Sequence, residues 1–191
     1  MPSNQPPEVE NPREYGTVEQ IHGRWVLRFE RRLPHPRERV WDALTQPEQM
    51  AVWLGQGDID LDLVQGGKFE VRTTGPPELV DAIIREAGED ALVQHNTVLR
   101  VEPPSVFEHT FGDPDSVVRW ELTPDGDSTL LRLAHTEPPT FATSKDGSRD
   151  LAGWHALLEQ LAQVLDGKPV PWQVERWEKL RDEYAAMAHT D

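Results

Sequence analysis

The chain has 191 residues and a mass of 21.7 kDa, a length typical of one domain with extensions. Its 34 acidic residues against 19 basic ones give a net charge of −15, so we expect no nucleic-acid partner. The absence of cysteine excludes disulfides, thiolate metal ligands and thiol catalysis. No segment has the apolar length of a signal peptide core or a membrane span, which predicts a cytoplasmic protein without membrane insertion.

The first third of the chain predicts an arm, a strand and two small helices. Residues 1–16 are rich in proline and poor in apolar side chains, which is typical of a disordered N-terminal arm. Residues 17–33 have a strand-like pattern with a kink or turn at His22-Gly23. Short helices are expected at 37–45 and 47–54, because each has a proline at or beside its first turn.

The middle of the chain predicts strands interrupted by one helix. Apolar and polar side chains alternate along these strands, and glycine, proline and aspartate form the turns between them. Residues 78–87 instead have apolar side chains at helical spacing, so we expect 76–91 to be a helical insertion between two strands. The strands are predicted at 58–64, 68–73, 92–102, 105–112, 116–123 and 128–136.

The strongest helical pattern lies within residues 149–168. Apolar side chains form one stripe along about five turns, and Gly167 followed by Pro169 ends the helix. A stripe this wide needs a broad apolar partner, which the preceding strands supply. We therefore predict an α+β fold in which a curved antiparallel sheet grips this late helix. A last amphipathic helix is expected within 171–191, docked on the domain or on a second copy.

This order of elements resembles the START-like or SRPBCC superfamily, which has the Bet v 1 helix-grip fold. Within it the chain is similar to the branch named for the activator of the heat-shock-90 ATPase, in its C-terminal-domain homologues. The likeness covers about residues 17–170, interrupted by the insertion. It implies a seven-stranded sheet around the long helix with an apolar cavity between them. The matching segments are RRLPHPRERVWDALTQPEQMAVWLG at 31–55, GGKFEV at 66–71, VLRVEPPSVFEHTF at 98–111, VRWELTPDGDSTLLRLAHT at 118–136 and GWHALLEQLAQVLDGKPV at 153–170.

Three histidines are predicted on the inward face of the sheet. Strand alternation places His95, His109 and His135 there together with Trp120. Matching apolar faces across the turns sets His109 and His135 two strands and two residues apart, roughly 12 Å. Zinc holds each nitrogen at about 2.1 Å, so we expect pocket anchors or core histidines in preference to a metal site. No carboxylate partner for a catalytic histidine is expected on this face.

Other motifs favour no nucleotide, calcium or hydrolase chemistry. The alternating aspartates at 58–62 lack the glycine and glutamate of a calcium loop, because Leu63 and Phe69 occupy those positions. The glycines at 55–57 and 66–68 lack the rest of a phosphate-binding motif. The sequence contains neither HExxH nor GxSxG.

We therefore expect a non-enzymatic protein that binds a small hydrophobic or aromatic molecule, without cofactor or metal, as a monomer or homodimer. One alternative is a protein-interaction module with a chaperone partner, as the branch name suggests. Another is a cyclase-type or hydrolytic enzyme that uses a cavity histidine. The predicted lining of the cavity is Trp53, Leu61, Phe69, His95, Phe107, His109, Phe111, Trp120, Leu133, His135, Trp154 and Leu158.

Overall fold

The computed structural model describes residues 14–138 and 147–188 of the chain. Residues 1–13 of the predicted N-terminal arm lie outside the described residues. The strands are β1 (Thr17–Ile21), β2 (Arg24–Leu33), β3 (Asp58–Leu61), β4 (Lys68–Arg72), β5 (Val93–Glu102), β6 (Val106–Phe111), β7 (Asp113–Asp125) and β8 (Ser128–Glu137). The helices are α1 (Arg37–Thr45), α2 (Pro47–Trp53), α3 (Pro77–Ala87), α4 (Ser148–Leu165) and α5 (Val174–Ala188), with a 3-10 turn at Glu89–Leu92.

Within the described residues, one sheet contains eight strands in the order β1-β2-β8-β7-β6-β5-β4-β3. All neighbours are antiparallel. The resemblance implied seven strands, and the additional one arises at His22-Gly23. These two residues have φ angles of 50° and 79°, as a tight two-residue hairpin turn requires, and Ile21 pairs directly with Arg24. The segment 17–33 is therefore a hairpin.

The sheet grips α4, which confirms the predicted helix-grip fold. Trp154, Leu158 and Leu161 on α4 are buried in one core cluster with the inward side chains of the sheet. The Trp120 ring on β7 lies 5.7 Å from the Trp154 ring at an interplanar angle of 76°. It also lies 5.8 Å from the Trp53 ring on α2 at 80°. Both are edge-to-face contacts, so one indole of the sheet packs against two helices.

The insertion forms α3, which adds no strand to the sheet. The backbone N–H of Thr73 donates to the carbonyl of Leu92 at 2.8 Å, so β4 and β5 close the base of the insertion directly. Leu79 and Ala82 are the buried side chains of α3, whereas Ile84 is exposed. The insertion is therefore an amphipathic helix laid on the domain at one end of the sheet.

The C-terminal helix α5 packs beside α4 and buries Trp177, Leu180 and Tyr184. The Tyr15 hydroxyl donates to Glu183 on α5 at 2.7 Å, and the Gly16 N–H donates to the Tyr184 hydroxyl at 2.8 Å. The end of the predicted arm is thus packed on α5, because Tyr15 finds both an apolar contact and a carboxylate there. Among the described residues, no helix is both long enough and apolar enough to cross a membrane.

Candidate ligand-binding cleft

The space directly between the sheet and α4 is filled with side chains. Several residues predicted to line a cavity here are at most 2% exposed and belong to the central core: Phe69, Phe107, His109, Trp120, Leu133 and Leu158. Leu61 is partly buried and packs against the same core. The linings of the two cavities described next include none of these residues. The predicted cavity beneath the helix is therefore occupied by aromatic and aliphatic packing.

Two adjoining cavities instead lie at one side of α4, and we call them together the side cleft. The apolar cavity has a volume of about 270 Å³, and α2, α3 and α5 contribute Trp53, Leu79 and Trp177 to its lining. The polar cavity has a volume of about 370 Å³, and His135 and Trp154 contribute to its lining. These volumes are close to the lower limit of small-molecule pockets, about 300 Å³. The residues that line both are Ala87, Gln94, Phe111, Arg149, Gly153 and Leu157.

A glycine on α4 keeps the side cleft open. Gly153 lines both cavities, and a Cβ atom placed on it would meet no atom within 4 Å. A larger side chain at this position would project into the cleft. The opposite wall is α3, since Leu79, Ala82 and Ile83 line the apolar cavity. The insertion thus supplies a surface that the sheet and α4 alone do not provide.

Four of the predicted lining residues are found at the side cleft. Trp53 lines the apolar cavity, His135 and Trp154 line the polar cavity, and Phe111 lines both. The sequence did not predict the contributions of α3, Gly153, Trp172 and Trp177 to the cleft. The sequence did contain two signals, which are the helical spacing of apolar residues in the insertion and the two tryptophans after the long helix. Neither signal indicates which surface of the domain these residues cover.

His135 is held in one tautomer at the polar end of the cleft. The Trp154 indole N–H donates to its Nδ1 at 2.8 Å, so the neutral ring carries its proton on Nε2. That nitrogen lies 2.9 Å from Glu137 Oε1 and 2.8 Å from Ser116 Oγ. The expectation that no carboxylate accompanies the histidine is wrong. Glu137 follows His135 by two residues on β8, and this spacing places both side chains on one face of a strand.

The arrangement around His135 differs from a Ser-His-acid catalytic triad. In a triad the hydroxyl and the carboxylate contact opposite nitrogens of the imidazole. Here Ser116 and Glu137 both contact Nε2, and Trp154 occupies Nδ1. The geometry therefore fixes and pairs the histidine and does not make Ser116 a nucleophile.

Several buried polar atoms of the cleft have no hydrogen-bond partner among the described residues. They are Gln94 Oε1, Asp150 Oδ2 and Trp172 Nε1. Burial raises the pKa of Asp150 above its ordinary value, although the Arg149 guanidinium 3.3 Å away opposes this shift. The residues that line the side cleft include both apolar and polar side chains, a combination suited to a molecule with an apolar body and a polar group.

Residues 34–166 match the family described as Activator of Hsp90 ATPase homolog 1-like protein. The chain belongs to this family. The match ends at the end of α4, so Trp172 and Trp177 of the side cleft lie outside it. No curated protein matches the sequence.

Solved structures share this family member's fold. The BPP1335 gene product of Bordetella parapertussis is 32% identical, with 84% of each chain covered and a TM-score of 0.63. EF2215 of Enterococcus faecalis is 16% identical over 92% of this chain and 91% of its own, with a TM-score of 0.68. CalU16 of Micromonospora echinospora is 22% identical over 91% and 96%, with a TM-score of 0.62. The last two show similarity of fold alone.

His95 faces solvent, which corrects the prediction that it faces inward. Its side chain is 72% exposed and lies 3.0 Å from Glu70. The cause is an irregularity in β5: Val98 pairs with His109, but Arg100 already pairs with Glu108. The extra residue reverses the alternation of inward and outward side chains. Val101 faces inward, and counting back from it in steps of two residues therefore places His95 on the wrong side of the sheet.

His109 is a core residue and shares a row of the sheet with His135. His109 pairs with Val118, which pairs with His135, so the predicted two-residue offset is wrong. The register between β7 and β8 is as predicted, and the error lies between β6 and β7, where the pairing shifts at Thr110 and Phe111. No group of three potential metal ligands occurs in the described part of the chain.

Proposed function

We propose that this protein binds a small, predominantly apolar molecule in the side cleft, without a catalytic step. The observation that carries the proposal is the apolar cavity of about 270 Å³ between α3, α4 and α5. Trp53, Trp172 and Trp177 contribute to its lining, and aromatic side chains offer large apolar contact areas to a ligand. The adjoining polar cavity supplies the few hydrogen-bonding groups that orient a ligand in such pockets.

The placement of the insertion also supports binding at this site. The chain includes a whole helix, α3, that adds nothing to the sheet, and its buried residues Leu79 and Ala82 line the cavity. Gly153 on the facing helix leaves the space in front of it empty. A helix that served only to cover the core would be expected to pack directly against α4, leaving no such space between them.

The test is an isothermal titration with 2-(1-naphthyl)ethanol, a neutral probe with an apolar body and one hydroxyl. We expect saturable binding to the wild-type protein at one site. The variant Gly153→Phe places a ring in the cleft and should abolish binding. The control Glu48→Phe adds the same ring at an exposed position of α2 and should bind as the wild type does. Absence of binding to the wild type, or equal binding to Gly153→Phe, would contradict the proposal.

Native mass spectrometry provides an independent measurement. Protein purified without denaturants is expected to show an additional mass that is removed by organic extraction and is absent from the Gly153→Phe variant. Finding the same additional mass in both proteins would place the bound molecule outside the side cleft.

A further inference from the structure

The inserted helix α3 is attached to the domain through few buried side chains. Of the eleven residues described for α3, only Leu79 and Ala82 are buried. The helix that α3 approaches at the most positions is α5, where Arg85 lies 3.9 Å from Glu178 in an exposed ion pair. Exposed ion pairs of this kind contribute little to stability. An element with so few buried contacts opens more easily than the core of a domain does.

The ends of the insertion allow α3 to move without disturbing the sheet. The hydrogen bond between Thr73 and Leu92 closes the base of the insertion, so the pairing of β4 with β5 does not depend on the position of α3. Gly88 follows the helix with a φ of 89° and a ψ of 166°, a conformation essentially restricted to glycine. A Cβ atom placed on Gly88 would meet no atom within 4 Å. The C-terminal end of α3 therefore has open surroundings and the least restricted residue type beside it.

Apolar side chains that border the space between α3 and α4 are only half-buried. Ile83 on α3, Leu157 on α4 and Trp172 line the apolar cavity, and each keeps part of its surface exposed. Closer approach of α3 to α4 would remove this apolar surface from water, which is favourable. Because Gly153 has no side chain to fill the space, closure over an empty cleft would enclose a void whose walls lack contacts. A bound molecule fills that void and so favours closure.

We propose that α3 is a hinged lid that moves toward α4 over a molecule bound in the side cleft, with Gly88 as the hinge at its C-terminal end. The inference rests on the proposed function, because closure requires a ligand in the cleft. A ligand shifts such an equilibrium only through contacts that it makes in one state and not in the other. Here those contacts are with the cavity-facing side of α3, where Leu79, Ala82 and Ile83 recur at helical spacing.

Hydrogen exchange of the wild-type protein, followed by mass spectrometry, tests the lid. In the free protein we expect the amides of α3 to exchange roughly tenfold or more faster than those of α4. Saturating 2-(1-naphthyl)ethanol should slow exchange in α3 roughly tenfold, whereas exchange in the edge strand β1, which lies away from the cleft, should not change. Calorimetric binding of the probe without slower exchange in α3 would overturn the lid and leave the binding function intact. Absence of calorimetric binding would overturn both.

A covalent tether tests the movement of α3 independently of hydrogen exchange. The chain has no cysteine, so Arg85→Cys and Glu178→Cys introduce two unique thiols, both at exposed positions. A bismaleimide with a two-carbon spacer then holds α3 beside α5 and should weaken binding of 2-(1-naphthyl)ethanol roughly tenfold. The matched control is the same double variant with each thiol capped by N-ethylmaleimide, which should bind the probe as the wild type does. Equal affinities of the tethered and capped proteins would overturn the lid.

Discussion

The indole N–H of Trp120 donates to Nε2 of His109 at 3.2 Å, and His109 Nδ1 lies 2.7 Å from the carbonyl of Thr110. Both nitrogens of the ring are therefore used, one as acceptor and one as donor, and the ring is neutral. Burial lowers the pKa of His109 from 6.5 to about 4 in the folded protein. This histidine is a structural part of the core.

The first prediction is that His109 contributes to acid instability. The unfolded chain takes up a proton at His109 near pH 6.5, whereas the folded chain does so only near pH 4. The free energy of unfolding therefore falls as the pH is lowered between these values, by about 3 kcal/mol for this group. Urea denaturation between pH 7.5 and 4.5 should show a shallower fall for His109→Gln than for the wild type. The exposed His95→Gln serves as control, and an unchanged slope in His109→Gln would contradict the prediction.

The second prediction is that Gly153→Ala stabilises the protein. Gly153 lies inside α4, where alanine is favoured over glycine by about 1 kcal/mol, and the added Cβ meets no atom within 4 Å. Gly167, just beyond the same helix, has equally open surroundings but a φ angle of 69°. Gly167→Ala should therefore destabilise the protein, since the left-handed conformation strains alanine. Urea denaturation measures both, and a loss of stability in Gly153→Ala would show that the cleft is smaller than described.

The third prediction compares two tryptophans of the cleft. Trp154→Phe leaves the buried His135 Nδ1 without its donor and should lower the free energy of unfolding by about 1–3 kcal/mol beyond the loss of ring area. Trp172 Nε1 is buried and has no hydrogen-bond partner in the described parts of the chain, so Trp172→Phe removes an unsatisfied donor and should cost less. Chemical denaturation of the two variants measures the difference. Equal costs would mean that the bond between Trp154 and His135 contributes no stability.

The fourth prediction concerns α3. Because Thr73 and Leu92 are hydrogen-bonded at the base of the insertion, residues 74–91 can be replaced by Asn-Gly, which favours a two-residue hairpin. The shortened chain should unfold in one cooperative transition, because the sheet and α4 keep their contacts. It should also lose calorimetric binding of 2-(1-naphthyl)ethanol, because the wall formed by Leu79 and Ala82 is gone. Retained binding would show that α3 is not part of the site.

The gripped helix was predictable because its signal is local and repeated. Apolar residues recur at helical spacing throughout α4, and the alternation in β7 and β8 gave the correct pairing of Trp120 with Leu133. His22-Gly23 indicated a turn, but sequence alone did not decide between a kink and a complete hairpin. The chaperone-partner alternative stays a prediction.

The positions predicted for two of the histidines were wrong for a common physical reason, which is irregular pairing in their strands. Alternation assumes that every residue advances the strand by one step, and the irregularity between Val98 and Arg100 breaks that assumption. A second shift at Thr110 and Phe111 moved His109 into the row of His135. The first irregularity has no glycine or proline at its centre to announce it, whereas the second lies beside Gly112 and Pro114, which indicated only a turn.

The cleft lies where packed elements leave volume unfilled, and a sequence pattern does not reveal where that happens. Inward alternation identified Phe69, Phe107 and Trp120 correctly as inward residues, but their rings pack together and leave no space beneath α4. The open space arises where Gly153 faces an inserted helix and α5, elements distant in the sequence. Predicting it requires the packing of three helices.

The chain contains seven tryptophans, and Trp53, Trp154, Trp172 and Trp177 all line the side cleft. Their placement gives the protein an intrinsic optical reporter. A compound that displaces solvent from the cleft should move the fluorescence maximum toward shorter wavelengths without any dye or label, so large chemical libraries can be screened with the unmodified chain.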